Sequence, residues 1–208
     1  MKYTHLPPIG SLPLPDLEWA PTDAMGSRAD GARTEDVFVH RWGIGDWTAE
    51  SIDGVIAHFM DPANEASAHI VYAGETGPDA GRCVQMVALD DRAWTEAAFN
   101  SEGVSIECGD AMWLGADASG FARAARIVGW LLAHEKLPAV WVRDPATHAR
   151  GLTRHADGGA SGGGHLECPT ADLELWRQFV SRVRAEVTLG DYRKYWARDA
   201  QPALAAAV

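Results

Sequence analysis

Two histidines and a cysteine lie in a glycine-rich segment, residues 151–170, and could bind a metal ion. His155, His165 and Cys168 surround a run of glycines in this segment. Neutral imidazole and thiolate are ligand types that zinc prefers, so the segment predicts part of a metal site. A catalytic zinc needs three protein ligands and an open position for water, and His40 is the best candidate for a ligand from elsewhere in the chain. Because the spacing is not that of a zinc finger, a polar surface loop is the alternative.

His40 and Glu107 each lie on a predicted strand. Residues 36–42, DVFVHRW, form a short apolar run rich in β-branched and aromatic residues, which predicts a strand. His40 lies near its carboxyl end, where α/β sheets present functional side chains. Residues 103–108, GVSIEC, predict another strand, in which Glu107 is costly unless it is solvated, paired or functional. Each residue also fits a structural role, as a hydrogen-bonded core histidine or as a carboxylate on a solvated strand face.

Further strands and helices alternate along the chain and position these residues. Apolar runs predict strands at residues 67–73, 83–89 and 139–142. Helical spacing predicts a helix that begins near a cap at Thr48 and ends at Asp61, two longer helices at 121–136 and 173–187, and one or two helical turns at 93–99. The glycine-rich segment with the candidate ligands follows the last predicted strand.

Composition limits the class of protein. The chain has 208 residues, of which 47% are hydrophobic and 23% charged, as expected for one globular domain with a sizeable core. No apolar run is long enough to predict a membrane span, and the proline-containing N-terminus does not resemble a signal peptide. A net charge of −11 speaks against binding to nucleic acid phosphates. Three cysteines are too few for a disulfide scaffold and fit synthesis in a reducing cytoplasm.

The chain divides into three parts by composition. Residues 1–34 are rich in Pro, Gly, Ala and Asp without periodicity, which predicts an extended N-terminal arm. Residues 35–187 contain the predicted strands and helices and form the domain. Residues 188–208 predict a C-terminal extension or the start of a linker.

The order of several stretches resembles the zinc-dependent N-acetylmuramoyl-L-alanine amidases, the family that includes phage lysozyme-type amidases and peptidoglycan recognition proteins. FVHRW is similar to the strand with the first histidine ligand, SAHIVY to the family's Ser-Ala-His strand, and GVSIE to the strand with the catalytic glutamate. VQMVALDDRAWTEAAFN resembles the segment that ends in Trp and Asn, and RHADGGASGGGHLECP resembles the final ligand loop. The likeness spans residues 36–187 and is greatest to endolysin amidase domains from phages of actinobacteria.

The resemblance implies a fold and a ligand set. The fold would be α/β: a single domain with a mixed central β-sheet of about five to six strands flanked by helices. The resemblance implies that His40, His155 and Cys168 bind zinc and that Glu107 is the general base. The domain at residues 35–187 would then be the catalytic domain.

One position departs from the family pattern. Leu166 stands where the family often has a Lys or Thr that stabilises the oxyanion, and its side chain cannot donate a hydrogen bond. His165, one residue earlier, is therefore the candidate catalytic donor. The alternative assignment makes His165 the second histidine ligand and His155 the helper.

The resemblance also implies an activity and a setting. The chain would be an endolysin, a peptidoglycan hydrolase that uses zinc-activated water to cleave the amide bond between N-acetylmuramic acid and L-alanine. It would act as a monomer on bacterial peptidoglycan after accumulating in the host cytoplasm. The alternatives are a peptidoglycan-binding module that has lost the chemistry and an amidase that acts on soluble muropeptides. The presence of all three ligands, His40, His155 and Cys168, together with Glu107 favours an enzyme.

Overall fold

Eight strands form two sheets in the computed structural model, which describes residues 17–28, 32–42 and 51–189. The strands are β1 (Leu17–Trp19), β2 (Met25–Ser27), β3 (Asp36–Arg41), β4 (Ile70–Tyr72), β5 (Cys83–Gln85), β6 (Asp91–Ala93), β7 (Gly103–Cys108) and β8 (Gly151–Arg154). Six of them form the central sheet in the order β1-β5-β4-β7-β3-β8, while β2 and β6 form an antiparallel pair. Strands β4, β7, β3 and β8 run parallel, whereas β5 is antiparallel to β4. The predicted α/β fold with a mixed sheet of five to six strands is confirmed.

Helices cover both faces of this sheet. The α-helices are α1 (Ile52–Met60), α2 (Asp110–Trp113), α3 (Ala118–His134) and α4 (Leu173–Leu189). Short 3-10 helices lie at Pro62–Asn64, Ala97–Phe99, Pro145–Thr147 and His155–Gly162. Within the described ranges, no helix combines the length and the apolar character needed to cross a membrane.

The larger core lies between one sheet face and the pair α3 and α4. Val37 and Val39 of β3 and Ile106 of β7 belong to it, together with Leu131 of α3 and Phe179 of α4. Asp117 begins α3 by accepting a hydrogen bond from the backbone of Gly120, a side-chain cap that starts the helix three residues before the predicted Phe121. Because side chains alternate along a strand, the residues next to these core residues point to the other face.

The opposite face carries a smaller core under α1. Ile52, Val55 and Phe59 of α1 pack there against Val71 of β4. The Ser51 side chain caps α1 by accepting a hydrogen bond from the backbone of Gly54. Thr48, the predicted cap, lies outside the described residues. The remainder of this face, over β3 and β7, carries polar side chains that include His40 and Glu107.

The last predicted strand was misplaced. Residues 139–142 do not form one, and Trp141 makes only an isolated bridge with Leu152. The strand beside β3 is β8, which was assigned to the glycine-rich loop because it has only four residues and begins with Gly, which is depleted in strands. Its strand conformation comes from its pairing with β3, a contact between residues far apart in the chain. The loop itself is shorter than predicted, and its first part is the 3-10 segment His155–Gly162.

Other boundaries also moved. The strand expected at 67–73 is confined to Ile70–Tyr72, and the one at 83–89 to Cys83–Gln85. The helical turns expected at 93–99 are reduced to Ala97–Phe99 after the short strand β6. The prediction for residues 103–108 is confirmed at both ends.

The ends of the chain are described only in part. Within the predicted arm, β1 pairs with β5 at one edge of the sheet and β2 pairs with β6. Residues 1–16 and 29–31 of the arm, and residues 190–208 of the predicted extension, lie outside the described residues. The three-part division of the chain stays a prediction.

Candidate metal centre

Two neighbouring parallel strands and the loop after the second bring the candidate ligands to one edge of the sheet. His40 lies near the carboxyl end of β3, and His155 directly follows the carboxyl end of neighbouring β8. The chain then returns through the 3-10 segment to Cys168. One donor atom from each of these three buried residues lies within 4.8 Å of the others. The structure therefore brings together His40, His155 and Cys168 as the sequence predicts, although their role as ligands stays a prediction.

The backbone of its own segment orients the His155 ring. Its Nε2 is 2.6 Å from the carbonyl oxygen of Gly162. A carbonyl oxygen only accepts, so Nε2 carries the proton and donates, and the lone pair of the ring is on Nδ1. His155 thus has its unprotonated nitrogen available for a metal.

The two histidines are neutral. Burial lowers the pKa of His40 and of His155 to about 3 in each case, and the neighbouring imidazoles lower it further in the same direction. Their ring centroids are 4.2 Å apart, and protonating both rings at this distance would place two like charges in a buried space. Both rings can therefore act as neutral nitrogen donors at physiological pH.

Cys168 is a buried thiol aimed at the same point. Burial raises its pKa above the ordinary range, while the backbone N–H of Arg41 donates to its Sγ over 3.3 Å and opposes that rise. The thiolate is unfavourable in this environment even though the charge of the Arg41 side chain opposes the rise in pKa. A divalent metal ion would add a stronger positive charge, and coordination deprotonates a thiol. The other two cysteines, Cys83 and Cys108, are also buried and form no disulfide.

Glu107 lies beside this group and opens on a cleft. It pairs in register with His40 across β7 and β3, and its Oε1 is 3.8 Å from Nδ1 of His40. Burial raises its pKa to about 8, and the charge of Glu96 adds to the rise. Its Oε2 has no hydrogen-bond partner among the described residues. A buried carboxylate oxygen without a partner is costly, which favours a functional role over the solvated strand face.

The cleft has a volume of about 240 Å³ and one wall made by the candidate site. Its other walls come from α1 and from the turn after β6. It is lined by His40, Arg41, His58, Phe59, Ala66, Trp94, Thr95, Glu107, His155, His165 and Cys168. A chain segment with polar and apolar groups could therefore lie against the three candidate ligands.

His165 lies at the exposed rim of the cleft, outside the group of three. Its ring centroid is 4.7 Å from that of His155. Among the described residues, the group of donor atoms within 4.8 Å contains His155 and not His165. This geometry favours His155 as ligand and leaves His165 facing the cleft. Leu166 is 68% exposed and turned to solvent, so it contributes no polar group there.

The sequence analysis missed Glu96, which contacts the site from below. This carboxylate is completely buried, and its Oε1 is 3.3 Å from Nε2 of His40. Burial raises its pKa to about 7, and the nearby His155 ring and the hydroxyls of Ser105 and Thr95 oppose the rise. Its only sequence signal is a carboxylate between the aromatic residues Trp94 and Phe99, which does not reveal burial.

His69 has a structural role. It is fully buried, and its Nδ1 accepts a hydrogen bond from the backbone N–H of Ser105 over 3.0 Å. Nε2 therefore carries the proton and donates to the carbonyl oxygen of Asp91 over 3.1 Å. Both ring nitrogens are thus occupied by protein groups, which leaves none for a metal.

The donor set fits zinc by type and by spacing. Two neutral imidazoles and one thiolate are ligands of hydrolytic zinc sites, and such sites keep one position open for water. Zinc bonds of about 2.0–2.3 Å separate tetrahedral donor atoms by roughly 3.3–3.8 Å, so small side-chain movements suffice to bring these donors together. Glu107 and the cleft lie on the side from which a water molecule and a substrate would enter.

Comparison with solved structures identifies the fold. The chain is similar to the crystal structure of Staphylococcus aureus hydrolase AmiA in complex with its ligand, at 16% identity, 85% coverage of both chains and a TM-score of 0.64. It is also similar to a mutant endolysin from Bacillus subtilis, at 15% identity, 81% coverage of this chain, 98% of the endolysin and a TM-score of 0.55. A third similar structure is the N-acetylmuramoyl-L-alanine amidase LysC from Clostridium intestinale, at 10% identity, 79% and 97% coverage and a TM-score of 0.50.

These likenesses extend over most of each chain at low identity, and they show a shared fold. No protein-family model matches the chain, and no curated protein matches it.

Proposed function

We propose that this chain is a peptidoglycan hydrolase, a zinc-dependent amidase that cleaves the bond between the lactyl group of N-acetylmuramic acid and L-alanine. One observation carries the proposal: two neutral imidazoles and a thiol converge beside a carboxylate that opens on a cleft. The fold supports it, because structures named as an N-acetylmuramoyl-L-alanine amidase and an endolysin share it.

His40, His155 and Cys168 would hold the metal. A zinc ion at this position would supply a Lewis acid that polarises the scissile carbonyl and lowers the pKa of water. The protein keeps both imidazoles neutral by burial and leaves the cleft side of the group open to substrate.

Glu107 moves the proton. It takes a proton from the attacking water and returns it to the amide nitrogen, so that the carbon–nitrogen bond breaks to give a carboxyl group and a free amine. Its raised pKa of about 8 refers to the chain without a cation, and a cation beside it favours the ionised form that a base requires. His165, at the rim, donates to the oxygen on which negative charge develops.

The setting is part of the same proposal. The chain accumulates in the host cytoplasm and reaches bacterial peptidoglycan on release, acting as a monomer. A binding module without chemistry would not need an unpaired carboxylate oxygen directed at a cleft. Comparing the digestion of polymeric peptidoglycan with that of soluble muropeptides distinguishes an endolysin from an amidase that acts on soluble muropeptides.

The test is digestion of purified peptidoglycan together with metal analysis of the purified protein. We expect one zinc per chain and products with a free lactyl carboxyl on muramic acid and a free amino group on L-alanine, both found by mass spectrometry. New reducing sugar ends without free amines would instead show a glycosidase. Binding to peptidoglycan without any cleavage would show the binding module.

The first prediction concerns the metal ligands. His40→Ala removes a central donor, so zinc and hydrolysis should both be lost. His134→Ala is the matched control, because this histidine lies at the end of α3, does not line the cleft and does not belong to a candidate metal-binding group. Full zinc retention in His40→Ala would show that the ligand assignment is wrong.

A further inference from the structure

Glu96 is a fully buried carboxylate that the proposed hydrolysis does not use. It does not line the cleft, so it cannot reach a water molecule or a substrate there. Burying a carboxylate is costly, because its charge loses the stabilisation by water and needs polar partners in the protein. The fold therefore keeps Glu96 at this position against a large cost, and its contacts show what it does.

The backbone around Glu96 is built to hold the carboxylate in place. The side-chain oxygen of Asn100 accepts hydrogen bonds from the backbone N–H of Thr95 over 3.0 Å and of Glu96 over 2.6 Å. Gly103 leaves the space that Glu96 occupies, because a Cβ there would lie 2.8 Å from the Phe38 ring and 3.4 Å from the Glu96 carboxyl carbon. These contacts direct the carboxylate beneath β3.

The carboxylate points at the far side of the His40 ring. Its Oε1 is 3.3 Å from Nε2, and these two atoms have no partner in strict hydrogen-bond geometry. The hydroxyls of Ser105 and Thr95 also lie near the carboxylate and oppose the rise of its pKa, and they are hydrogen-bonded to each other over 2.8 Å. The contact of Glu96 with a candidate ligand is the one to His40 Nε2, at 3.3 Å.

We propose that Glu96 is a positioning residue of the metal centre, which accepts the Nε2–H of His40 and so keeps the Nδ1 lone pair directed at the metal. The inference rests on the proposed function, since it assigns Glu96 to the same site. A carboxylate or carbonyl that accepts the second ring N–H of a metal-binding histidine fixes its tautomer and orientation. A hydrogen bond of the same kind orients the His155 ring, because its Nε2–H donates to the Gly162 carbonyl.

The two buried glutamates therefore contact different nitrogen atoms of the His40 ring. Glu107 faces Nδ1 from the cleft side at 3.8 Å, whereas Glu96 faces Nε2 from the interior at 3.3 Å. Only the first can exchange a proton with a group in the cleft. The second acts on the reaction through His40.

The test compares Glu96→Gln, which keeps a neutral acceptor, with Glu96→Leu, which has a similar size and no acceptor. The matched control is Glu186→Gln, a buried glutamate that pairs with Arg126 and Arg182 at α3 and α4. Zinc affinity is measured by competition with a chromophoric chelator. The tautomer of His40 is read in the zinc-free protein from the ¹⁵N NMR shifts of its ring.

We expect the wild-type ring to carry its proton on Nε2. Zinc affinity should fall about 10–100-fold in Glu96→Leu and by a smaller factor in Glu96→Gln, with loss of the single tautomer in Glu96→Leu. Glu186→Gln should match wild type in both readouts. Unchanged affinity and tautomer in Glu96→Leu would overturn the proposal, and if that variant does not fold, unchanged values in Glu96→Gln would do so.

The outcomes also separate this inference from the proposed activity. If wild type binds zinc but does not cleave peptidoglycan, the hydrolase proposal fails while the affinity series still decides the role of Glu96. If wild type binds no zinc, the metal centre and the positioning role fail together.

Discussion

Glu107 and Glu96 contact the same imidazole, but only Glu107 borders the cleft. This difference in position is the reason why the proposed proton transfer is given to Glu107, although burial raises the pKa of both carboxyls. It also explains why sequence reasoning found one and missed the other. Glu107 interrupts an apolar strand, whereas Glu96 lies in a short turn before the 3-10 helix Ala97–Phe99, and its local sequence does not predict that this turn is buried.

The second prediction concerns Glu107. Glu107→Gln removes the base while keeping size and shape, so turnover should fall by roughly 10²–10⁴-fold, the contribution of proton transfer. Zinc content should not change, because the three donors remain. Rates are measured on purified peptidoglycan with zinc content determined in parallel. Turnover near that of wild type in the folded, zinc-loaded variant would remove Glu107 from the mechanism.

The third prediction concerns His165. Its position at the rim, beside His155 and outside the donor group, places its ring where it can reach an oxygen in the cleft. His165→Ala should lower turnover by roughly tenfold or more, since one oxyanion donor contributes about 2.7–4 kcal/mol in comparable sites. Zinc affinity should stay at the wild-type value.

Two other results for His165→Ala have separate meanings. Loss of zinc would show that His165 is the ligand and that His155 is the helper. No change in either readout would show that His165 only braces its loop.

At the scale of elements, a network of contacts that sequence patterns do not reveal sets the position of His155. Arg154 and Asp157 form a salt bridge of 2.5 Å, and the Trp141 ring N–H donates to Asp157 over 2.7 Å. Arg154 also donates to the carbonyl oxygen of Thr170 over 3.1 Å, which ties the end of the loop to β8. The segment between His155 and Cys168 is therefore held at both ends by one arginine.

Elements with their own strong pattern were predictable. The ends of β7 were predicted correctly and those of β3 to within one residue, because both carry β-branched residues at alternate positions, Val37 and Val39 in β3 and Val104 and Ile106 in β7. Strand β8 was not, since only Leu152 of its four residues belongs to the core and its pairing with β3 is a long-range contact. The ligand types and their order could be predicted from the sequence, but the buried contact between Glu96 and His40 could not.

At the scale of the whole molecule, the net charge of the protein disfavours binding to the proposed substrate. A net charge of −11 repels an anionic cell wall, so the cleft by itself gives little attraction over distance. Binding to the wall would then depend on a targeting module or partner that raises the local concentration of the enzyme.

Buried ionisable groups make the stability of the metal-free protein depend on pH in two opposing ways. Burial lowers the pKa of three histidines to about 3: His40, His69 and His155. Below their usual pKa of about 6.5, the unfolded chain binds more protons on these groups than the folded chain does. Their contribution to the free energy of unfolding is therefore lost as pH falls below that value. Burial raises the pKa of three carboxyls, to about 6 for Asp36, 7 for Glu96 and 8 for Glu107. The folded chain binds more protons on these groups, so their contribution is lost as pH rises through those values.

The last prediction follows from combining the two sets. Between about pH 4.5 and 6.5 the effects of the histidines and of the carboxyls on the free energy of unfolding nearly cancel. Below this window the histidines lower that free energy, and above it the carboxyls lower it. The melting temperature of the EDTA-treated protein should therefore be highest in this window and fall on both sides. Added zinc should raise it more at pH 8 than at pH 5.5, because the Cys168 thiol must lose its proton to bind and a cation favours the ionised carboxylates. Thermal unfolding with and without zinc measures both effects, and a metal-free melting temperature that rises steadily from pH 5.5 to 8 would contradict the raised pKa values of Glu96 and Glu107.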